Sequence, residues 1–382
     1  IYSSEIKSII SCFNKEKVQI NDQSLYDYLV FNRTDQSDDT FYRNIKKLQH
    51  GHFITITNNQ VQIKKWYNLN KSISNPFLSK DEYLETFRSS IKLRLRSDVP
   101  IGLMLSGGID SSSIASVLKD EYSHLNTFSA IFPGEKHIDE SKYIYAFKQY
   151  FSNMHFITPD ADSLFSDLHR FILLHDEPVF RTGPYIQFKL MELAKNYVTV
   201  ILEGQGADEQ LAGYHYFFGF YYKELLRQGK IIKLFNELVS YSKTHKSFMA
   251  LNSLLFLMLP RKIQGKAKLL SNNYIKNNFY NHHYKESVIV NDLYSSKSLK
   301  DSLLNHFEYK LEHLLKWGDK NSMYFGLESR MPFLDHRLVE RTLATDNNMI
   351  INKGKTKVIL KEASKKILPD AIYNRHDKIG FA

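Results

Sequence analysis

Cysteine is nearly absent from this sequence, which has a single Cys among its 382 residues. One Cys excludes a disulfide scaffold and any zinc or iron–sulfur site built from cysteines, and such scarcity fits a reducing, cytoplasmic location. No run approaches the roughly 18 apolar residues that a membrane-spanning helix needs, so membrane insertion is not expected. The chain starts at Ile1 without a Met or a signal-peptide pattern and stops at Ala382, so we expect a fragment of a longer protein.

Acidic residues are outnumbered, because 51 Lys and Arg face 41 Asp and Glu and give a net charge of +10. A basic excess is one signature of nucleic-acid binding. The basic residues are scattered here, and no basic run of six occurs. We therefore interpret them as solvated lysines and arginines and expect no nucleic-acid partner.

The length suggests two domains. Residues 1–72 predict only a small α+β piece: a helix capped by Asp22 and a hairpin with strands 53–57 and 60–63 around Asn58-Asn59. The apolar face of that helix is expected to carry Leu25, Tyr26 and Leu29. These elements are too few to bury a core of their own, so we expect the remnant of a domain that lies mostly upstream. Residues 71–76 have the composition of a linker.

Residues 73–382 predict a larger α/β domain. After a helix with capping-box spacing at Ser79 and Glu82, four apolar segments are separated by helical ones. The predicted strands are 99–105, 127–132, 155–157 and 198–202, and the predicted helices are 109–119, 140–151, 163–174 and 185–195. This alternation predicts a doubly wound parallel sheet with helices on both faces, followed by a mostly helical region from about residue 216. Ligands of such sheets bind beyond the carboxyl ends of the strands.

The strongest motif follows the first of these strands and reads Ser106-Gly107-Gly108-Ile109-Asp110-Ser111-Ser112. Two glycines let backbone N–H groups approach a ligand, and the helix that begins there directs its dipole at an anion. Serine hydroxyls add donors, so the segment is interpreted as a phosphate cradle. Asp110 would repel phosphate unless it holds a Mg²⁺ that bridges to it.

Two other nucleotide-binding patterns do not fit. Gly354-Lys355-Thr356 supplies part of a P-loop, but Met349 stands where its first glycine belongs. Gly204 and Gly206 begin a dinucleotide fingerprint whose third glycine position is Glu209. Because this second segment also follows an apolar strand, we interpret Asp208 as a second carboxylate for the same Mg²⁺.

The two segments together resemble the glutamine-dependent asparagine synthetases, which belong to the N-type ATP pyrophosphatases (adenine nucleotide alpha hydrolase-like fold). Further matching motifs occur in the same order along the chain: Asp139-Glu140-Ser141, Asp176-Glu177-Pro178, Leu211-Ala212-Gly213-Tyr214, residues 328–335, residues 357–361 and Asn374-Arg375. The resemblance implies that residues 1–72 are the end of a class II glutamine amidotransferase domain. Residues 73–382 would then be the synthetase domain, with small-molecule substrates and a homodimer as one option for assembly.

The resemblance also implies the reaction and the roles of the residues. Aspartate would be activated by ATP and Mg²⁺ as an acyl adenylate with release of pyrophosphate, and ammonia derived from glutamine would displace AMP. Cofactor binding is expected from backbone or side chains of Met104, Ser106, Gly107, Gly108, Asp110, Ser111, Ser112, Ala130, Glu203 and Gly204. Asp110 and Asp208 would hold Mg²⁺, and Lys357 would reach the α-phosphate and the transition state.

The chain departs from the family at three places. The glutaminase nucleophile, a Cys at residue 1, is missing, and Cys12 is interpreted as a partly buried structural residue. Gln205, a catalytic candidate, stands where many of these synthetases have Glu, so a possible proton acceptor for ammonium is lost. Arg181-Thr182-Gly183 replaces the usual segment after Glu-Pro.

These departures leave alternatives open. They resemble a subgroup associated with surface polysaccharides, in which a uronic acid would replace aspartate as the amide acceptor. A tRNA-thiolation pyrophosphatase would need catalytic cysteines near the adenylate, and a non-catalytic scaffold would not need Asp110, Asp208 and Lys357.

Overall fold

The computed structural model describes residues 1–13, 18–58, 60–135, 137–270 and 275–375. Within these ranges the strands form two sheets. Strands β1 (His52–Thr57) and β2 (Gln60–Lys65) pair antiparallel. The other sheet is parallel, with the order β5-β4-β3-β6-β7, and consists of β3 (Ile101–Met104), β4 (Asn126–Ala130), β5 (Met154–Ile157), β6 (Val200–Leu202) and β7 (Glu328–Arg330).

The helices of the described ranges precede, connect and follow the strands. In chain order they are α1 (Ile6–Ile10), α2 (Asp22–Phe31), α3 (Leu69–Ser72), α4 (Lys80–Arg94), α5 (Ile109–Leu118), α6 (Ser141–Ile144), α7 (Ala161–His175), α8 (Gly183–Ala194), α9 (Ala207–Gln210), α10 (Phe217–Arg227), α11 (Ile231–His245), α12 (Met249–Met258), α13 (Arg261–Leu270), α14 (Asn277–His283), α15 (Leu299–Tyr309), α16 (Leu311–Tyr324), α17 (His336–Ala344), α18 (Asn347–Ile350), α19 (Val358–Ala363) and α20 (Asp370–Tyr373). None of them combines the length and the apolar character that crossing a bilayer requires.

The strand order of the parallel sheet reverses between β3 and β6. The chain builds outward from β3 to β4 and β5, and then returns to the other side of β3 to add β6 and β7. Residues Leu103 of β3 and Leu202 of β6 are register partners, so both strands end at the same level. The doubly wound α/β fold predicted from the sequence is therefore confirmed, and its switch point lies where the loops after β3 and β6 begin.

The sheet and its helices belong to a unit formed by residues 75–214, 235–247 and 314–382. Its core includes Phe128 of β4, Met191 of α8 and Ile201 of β6, none of which is more than 1% exposed. Helix α4 buries Tyr83, Phe87 and Ile91 at helical spacing. The predicted cap is half correct, because Ser79 accepts from the Glu82 N–H while the Glu82 carboxylate accepts from Leu78 N–H instead of Ser79.

The structure differs from the sequence prediction at two places in this unit. The helix predicted for 140–151 is shorter, because α6 passes into a 3₁₀ turn over Tyr145–Phe147. Strand β7 was not predicted, since its three residues, Glu-Ser-Arg, carry no apolar signal. Gly354 lies in the loop between α18 and α19, not after a strand, which agrees with the rejection of a P-loop there.

The second unit consists of residues 1–74, 215–234 and 248–313. Helix α2 buries Tyr26, Val30 and Phe31 against Ile289 and Leu293 from the later part of the chain. The small N-terminal piece therefore obtains its core from helical segments far away in sequence. Within this unit the hairpin of β1 and β2 is confirmed, although Asn59 of its turn lies outside the described residues.

Two local predictions in this unit are wrong. The cap of α2 is Asn21, whose side chain accepts from the N–H groups of Gln23 and Ser24, and Asp22 is the first helical residue. Asn21 precedes the first helical residue, so its side chain can reach these N–H groups. Asp22 already lies within the helix. Cys12 is exposed, and its thiol donates to the carbonyl of Ser8 at 3.4 Å. Helix α1, which precedes it, buries none of its residues.

Candidate active site

The loop after β3 turns sharply into α5. Gly107 adopts a φ of +76°, and a Cβ added to it would lie 3.0 Å from the Tyr143 Cβ, so only glycine suits this position. Gly108 is the N-cap residue of α5 and has extended backbone. The free N–H groups at the start of the ten-residue helix α5 therefore face the end of the sheet, as an anion site requires.

Serine hydroxyls hold this loop closed. The Ser111 hydroxyl accepts from the Ser106 N–H at 3.1 Å and lies 3.0 Å from the Ser106 hydroxyl, which accepts from the Gly108 N–H. Ser112 differs, because it is fully buried and its Oγ has no hydrogen-bond partner among the described residues. Ser106 and Ser111 are thus better placed than Ser112 to donate to a phosphate.

The loop after β6 touches the first loop through a glycine. A Cβ on Gly204 would lie 3.1 Å from both the Asp110 Cβ and the Ser111 N, so the missing side chain allows this approach. Gly206 then adopts a φ of +93° and begins α9, which carries Asp208. The structure thereby brings together the two motifs that sequence alone could only assign to the same edge of a sheet.

Lys357 lies between the two predicted metal ligands. Its Nζ is 2.6 Å from both carboxylate oxygens of Asp110 and 2.6 Å from Oδ1 of Asp208. The side chain of Lys357 is only 6% exposed. Burial alone would lower the pKa of this ammonium, but attraction to Asp110 and Asp208 outweighs burial and raises it, so Lys357 stays charged.

The backbone at Lys357 is fixed as firmly as its side chain. Lys357 has a left-handed φ of +54° as the N-cap of α19, and its N–H donates to the carbonyl of Leu211 at 3.1 Å. Left-handed backbone is unfavourable for a residue with a Cβ and persists where surrounding contacts impose it. This conformation directs the ammonium at the two carboxylates.

A buried arginine contacts the loop between β3 and α5. Arg375 donates to the carbonyl of Gly107 at 3.0 Å, forms an ion pair with Glu140 and lies over the ring of Tyr143. The side chains of Arg375 and Glu140 are 6% and 5% exposed. The last motif noted in the sequence therefore orients the glycine turn.

A cavity of about 400 Å³ opens between the two loops. Its wall includes nine of the predicted site residues: Met104, Ser106, Asp110, Ser111, Ala130, Glu203, Gly204, Gln205 and Asp208. Four predicted site residues do not line the cavity: Gly107, Gly108, Ser112 and Lys357. Lys357 contacts two residues that do, Asp110 and Asp208. Exposed Arg181 contributes to the wall, as do Phe128, Leu314 and Trp317, which the sequence analysis did not single out.

Glu203 occupies an unusual place on the cavity wall. It is 4% exposed, and its carboxylate accepts from the Ser329 hydroxyl at 2.6 Å and from the Gln187 amide at 2.7 Å. Gln187 in turn accepts from Asn321. Burial raises the pKa of Glu203, although these two hydrogen bonds oppose the shift. The side chain, which was expected to bind a nucleotide, accepts these hydrogen bonds from residues of α8 and β7.

The carboxylates fit a magnesium ion. Asp110 and Asp208 converge on one cation, the Lys357 ammonium, and carboxylate oxygens are ligands that Mg²⁺ prefers. Within the described ranges no group of three or more His, Cys, Asp or Glu side chains could hold a metal ion. Two carboxylates suffice when substrate phosphates and water supply the other ligands.

Comparison with known proteins finds similarity to two protein families. A family profile described as asparagine synthase matches residues 82–382, and one described as a glutamine amidotransferase domain matches residues 1–67. Glutamine-hydrolyzing asparagine synthetase 1 of Bacillus subtilis is 27% identical over 100% of this chain and 61% of its own length. Asparagine synthetase 3 of the same organism is 24% identical over 98% of this chain and 60% of its own length.

The chain thus spans about three fifths of the length of these two relatives. A solved NMN synthetase from Francisella tularensis aligns with 36% of this chain and 60% of its own, with 14% identity and a TM-score of 0.25, which is too low to carry an argument. The family profile, in contrast, covers most of the chain and includes both loops, Lys357 and Arg375. The chain belongs to the asparagine synthase family.

Proposed function

We propose that this chain uses ATP and Mg²⁺ to convert a carboxylate into an acyl adenylate with release of pyrophosphate, and then transfers ammonia to the acyl group to form an amide. One observation carries the proposal. Asp110 and Asp208 lie beside a glycine-serine loop at the switch point of a parallel sheet, on the wall of a cavity large enough for a nucleotide, and both contact the ammonium of Lys357.

The loop between β3 and α5 supplies the phosphate contacts in this proposal. Backbone N–H groups at the start of α5 and the hydroxyls of Ser106 and Ser111 donate to the pyrophosphate. The adenosine lies against Met104 and Ala130, which are on the cavity wall beside Phe128. Ser112 is buried and does not line the cavity, so we assign the phosphate contacts to Ser106 and Ser111.

Positive charge is the second requirement of adenylate formation. Mg²⁺, held by Asp110 and Asp208, would neutralise charge on the phosphates. Lys357 contacts the same two carboxylates and keeps its proton. Its positive charge would stabilise the negative charge that develops at the α-phosphate. Arg375 keeps the glycine turn in place.

Aspartate is the carboxylate substrate that we propose. Arg181 lies on the cavity wall, where its guanidinium can pair with a carboxylate in bidentate fashion. Because a uronic acid carries the same group, charge at Arg181 does not discriminate between the two acceptors. The measurement that does is ATP–pyrophosphate exchange with aspartate and with nucleotide-linked uronates, side by side.

The exchange assay has defined outcomes. We expect exchange with aspartate, and a higher KM for aspartate in Arg181→Ala. Exchange stimulated only by a uronate would replace aspartate with a sugar acceptor, and an unchanged KM in Arg181→Ala would remove the role given to Arg181.

A further inference from the structure

The proposed second half-reaction needs a proton acceptor. At neutral pH ammonia is mostly ammonium, whose nitrogen has no free electron pair, so a proton must leave before the nitrogen attacks. Gln205 is on the cavity wall beside the proposed phosphate loop. Its amide is neutral and cannot take that proton.

Glu203 is a carboxylate on the same wall, two residues earlier in the same loop. It directly follows β6, so its backbone is fixed by the sheet, and its N–H donates to the carbonyl of Arg330 at 2.9 Å. Its two carboxylate oxygens accept from Ser329 and Gln187, which are neutral. A carboxylate held by neutral donors keeps the ability to bind a proton, because no cation competes for it.

The other acidic side chains on the wall have different surroundings. Asp110 and Asp208 contact the Lys357 ammonium at 2.6 Å, which favours their charged forms. Glu209 accepts from the Tyr214 hydroxyl at 2.7 Å and lies on α9 beside Asp208. Glu203 differs from the two aspartates because its hydrogen-bond donors, Ser329 and Gln187, are neutral.

We propose that Glu203 is the catalytic base that accepts a proton from ammonium, a role that rests on the proposed function. The Glu203 carboxylate takes one proton from ammonium and leaves ammonia. The ammonia electron pair forms a C–N bond at the acyl carbon, the C–O bond to AMP breaks, and AMP leaves with the electron pair of the broken C–O bond. Glu203 afterwards releases its proton to solvent. The nitrogen then loses a second proton to solvent, which gives the neutral amide.

The surroundings of Glu203 suit this role. Burial raises its pKa, and the hydrogen bonds from Ser329 and Gln187 oppose that shift. The charged side chains that share its cavity are Arg181, Asp110, Asp208 and Glu209, with Lys357 behind the two aspartates. The elements that contact the carboxylate, α8 and β7, present only an amide and a hydroxyl to it.

The test compares two nucleophiles in the variant Glu203→Gln. Its amide keeps both hydrogen bonds, by accepting from Gln187 and donating to the Ser329 oxygen. We expect ATP–pyrophosphate exchange close to that of the unmodified chain and an ammonia-dependent amide yield about 100-fold lower at pH 7. Hydroxylamine is largely neutral at this pH and needs no base, so hydroxamate formation should persist.

A second variant uses the pH profile. Ser329→Ala removes a donor to the Glu203 carboxylate, so the pKa of Glu203 rises and the acid limb of the ammonia-dependent rate moves to higher pH, whereas the hydroxylamine rate does not follow. Glu192→Gln, on α8 outside the cavity, is the matched control and should change neither profile.

The outcomes separate this proposal from the one on which it rests. No exchange in the unmodified chain with any carboxylate tested would remove the proposed function itself. Exchange that is present, with equal losses for ammonia and hydroxylamine in Glu203→Gln or no loss for either, would overturn the role of Glu203. If Glu203→Gln does not fold, the pH shift in Ser329→Ala decides, and an unshifted profile overturns the role.

Discussion

Gly213 and Asp208 are so close that a Cβ on the glycine would lie 1.8 Å from Oδ1 of the carboxylate. The same Cβ would lie 2.5 Å from the Cε of Lys357. The N–H of Gly213 also donates to the Asp208 carbonyl at 2.8 Å. The space left by this absent side chain is therefore what allows the carboxylate and the ammonium to meet.

We predict that Gly213→Ala separates Asp208 from Lys357. Pyrophosphate exchange should fall at least about 10-fold, with a loss of about 1–3 kcal/mol in the free energy of unfolding from overpacking. Gly229→Ala is the control, because that position has a φ of +67° and open space around it. It should cost stability through backbone strain but leave exchange unchanged. Normal exchange in Gly213→Ala would show that the close packing has no functional consequence.

Lys357→Met should leave Asp110 and Asp208, whose side chains are 19% and 18% exposed, without their common cation. Removing one member of a fully buried ion pair costs about 3–5 kcal/mol, and the partial exposure of the two carboxylates should make the loss smaller. We predict that adding Asp208→Asn to this variant restores part of the loss, because one uncompensated charge is then removed. Urea unfolding of the single and double variants measures the coupling. A double variant that is less stable than Lys357→Met would contradict the ion-pair geometry.

Asp335 should make the protein sensitive to acid. Burial would raise the pKa of this carboxyl, but hydrogen bonds and charge from Arg337 and Arg94 lower it to about 2. A lowered pKa contributes stability that is present above the ordinary value near 4 and is lost as the pH falls towards 2, at most about 2 kcal/mol in total. Asp335→Asn should therefore be less stable than the unmodified chain at pH 6, and the difference should shrink towards pH 2. A difference that is constant with pH would rule out this linkage.

The 382-residue chain is expected to use ammonia but not glutamine. Cys12 is internal, so its nitrogen is part of a peptide bond and cannot act as the free α-amine base of an N-terminal nucleophile. Amide synthesis should depend on added ammonium, and purified chain should form no glutamate from glutamine. Cys12→Ser is a direct control, and glutamate production that this change abolishes would contradict the expectation.

The sequence predicts four of the five strands of the parallel sheet, because each lies in an apolar segment between helical ones. β3, β4 and β6 are largely buried, whereas β5 is only partly buried. The glycines at 107, 108, 204 and 206 mark the loops after β3 and β6. β7 was not predicted, because Glu328, Ser329 and Arg330 have the polar composition of a loop. Only the structure shows that the Ser329 hydroxyl donates to the Glu203 carboxylate. Pairing is a tertiary property, so it overrides the local signal.

The site was predictable in its residue types but not in its contacts. The motifs nominated Asp110, Asp208 and Lys357, while nothing in their spacing shows that the ammonium lies between the two carboxylates. Trp317 and Gln187 lie on helices with ordinary amphipathic patterns, so no local signal separates a cavity wall from a core. The predictions of Asp22 as the cap of α2 and of a partly buried Cys12 were wrong for a simpler reason. Each depends on the exact position of a single residue.

The central claim is that Asp110 and Asp208 support Mg²⁺-dependent formation of an acyl adenylate. Its most direct test is the release of pyrophosphate from ATP by the unmodified chain, Asp110→Asn and Asp208→Asn, with excess aspartate, ammonia and Mg²⁺, after circular dichroism has shown that each variant is folded. We predict Mg²⁺-dependent release by the unmodified chain and none above background in either variant. Near-normal release in folded Asp110→Asn would contradict the account.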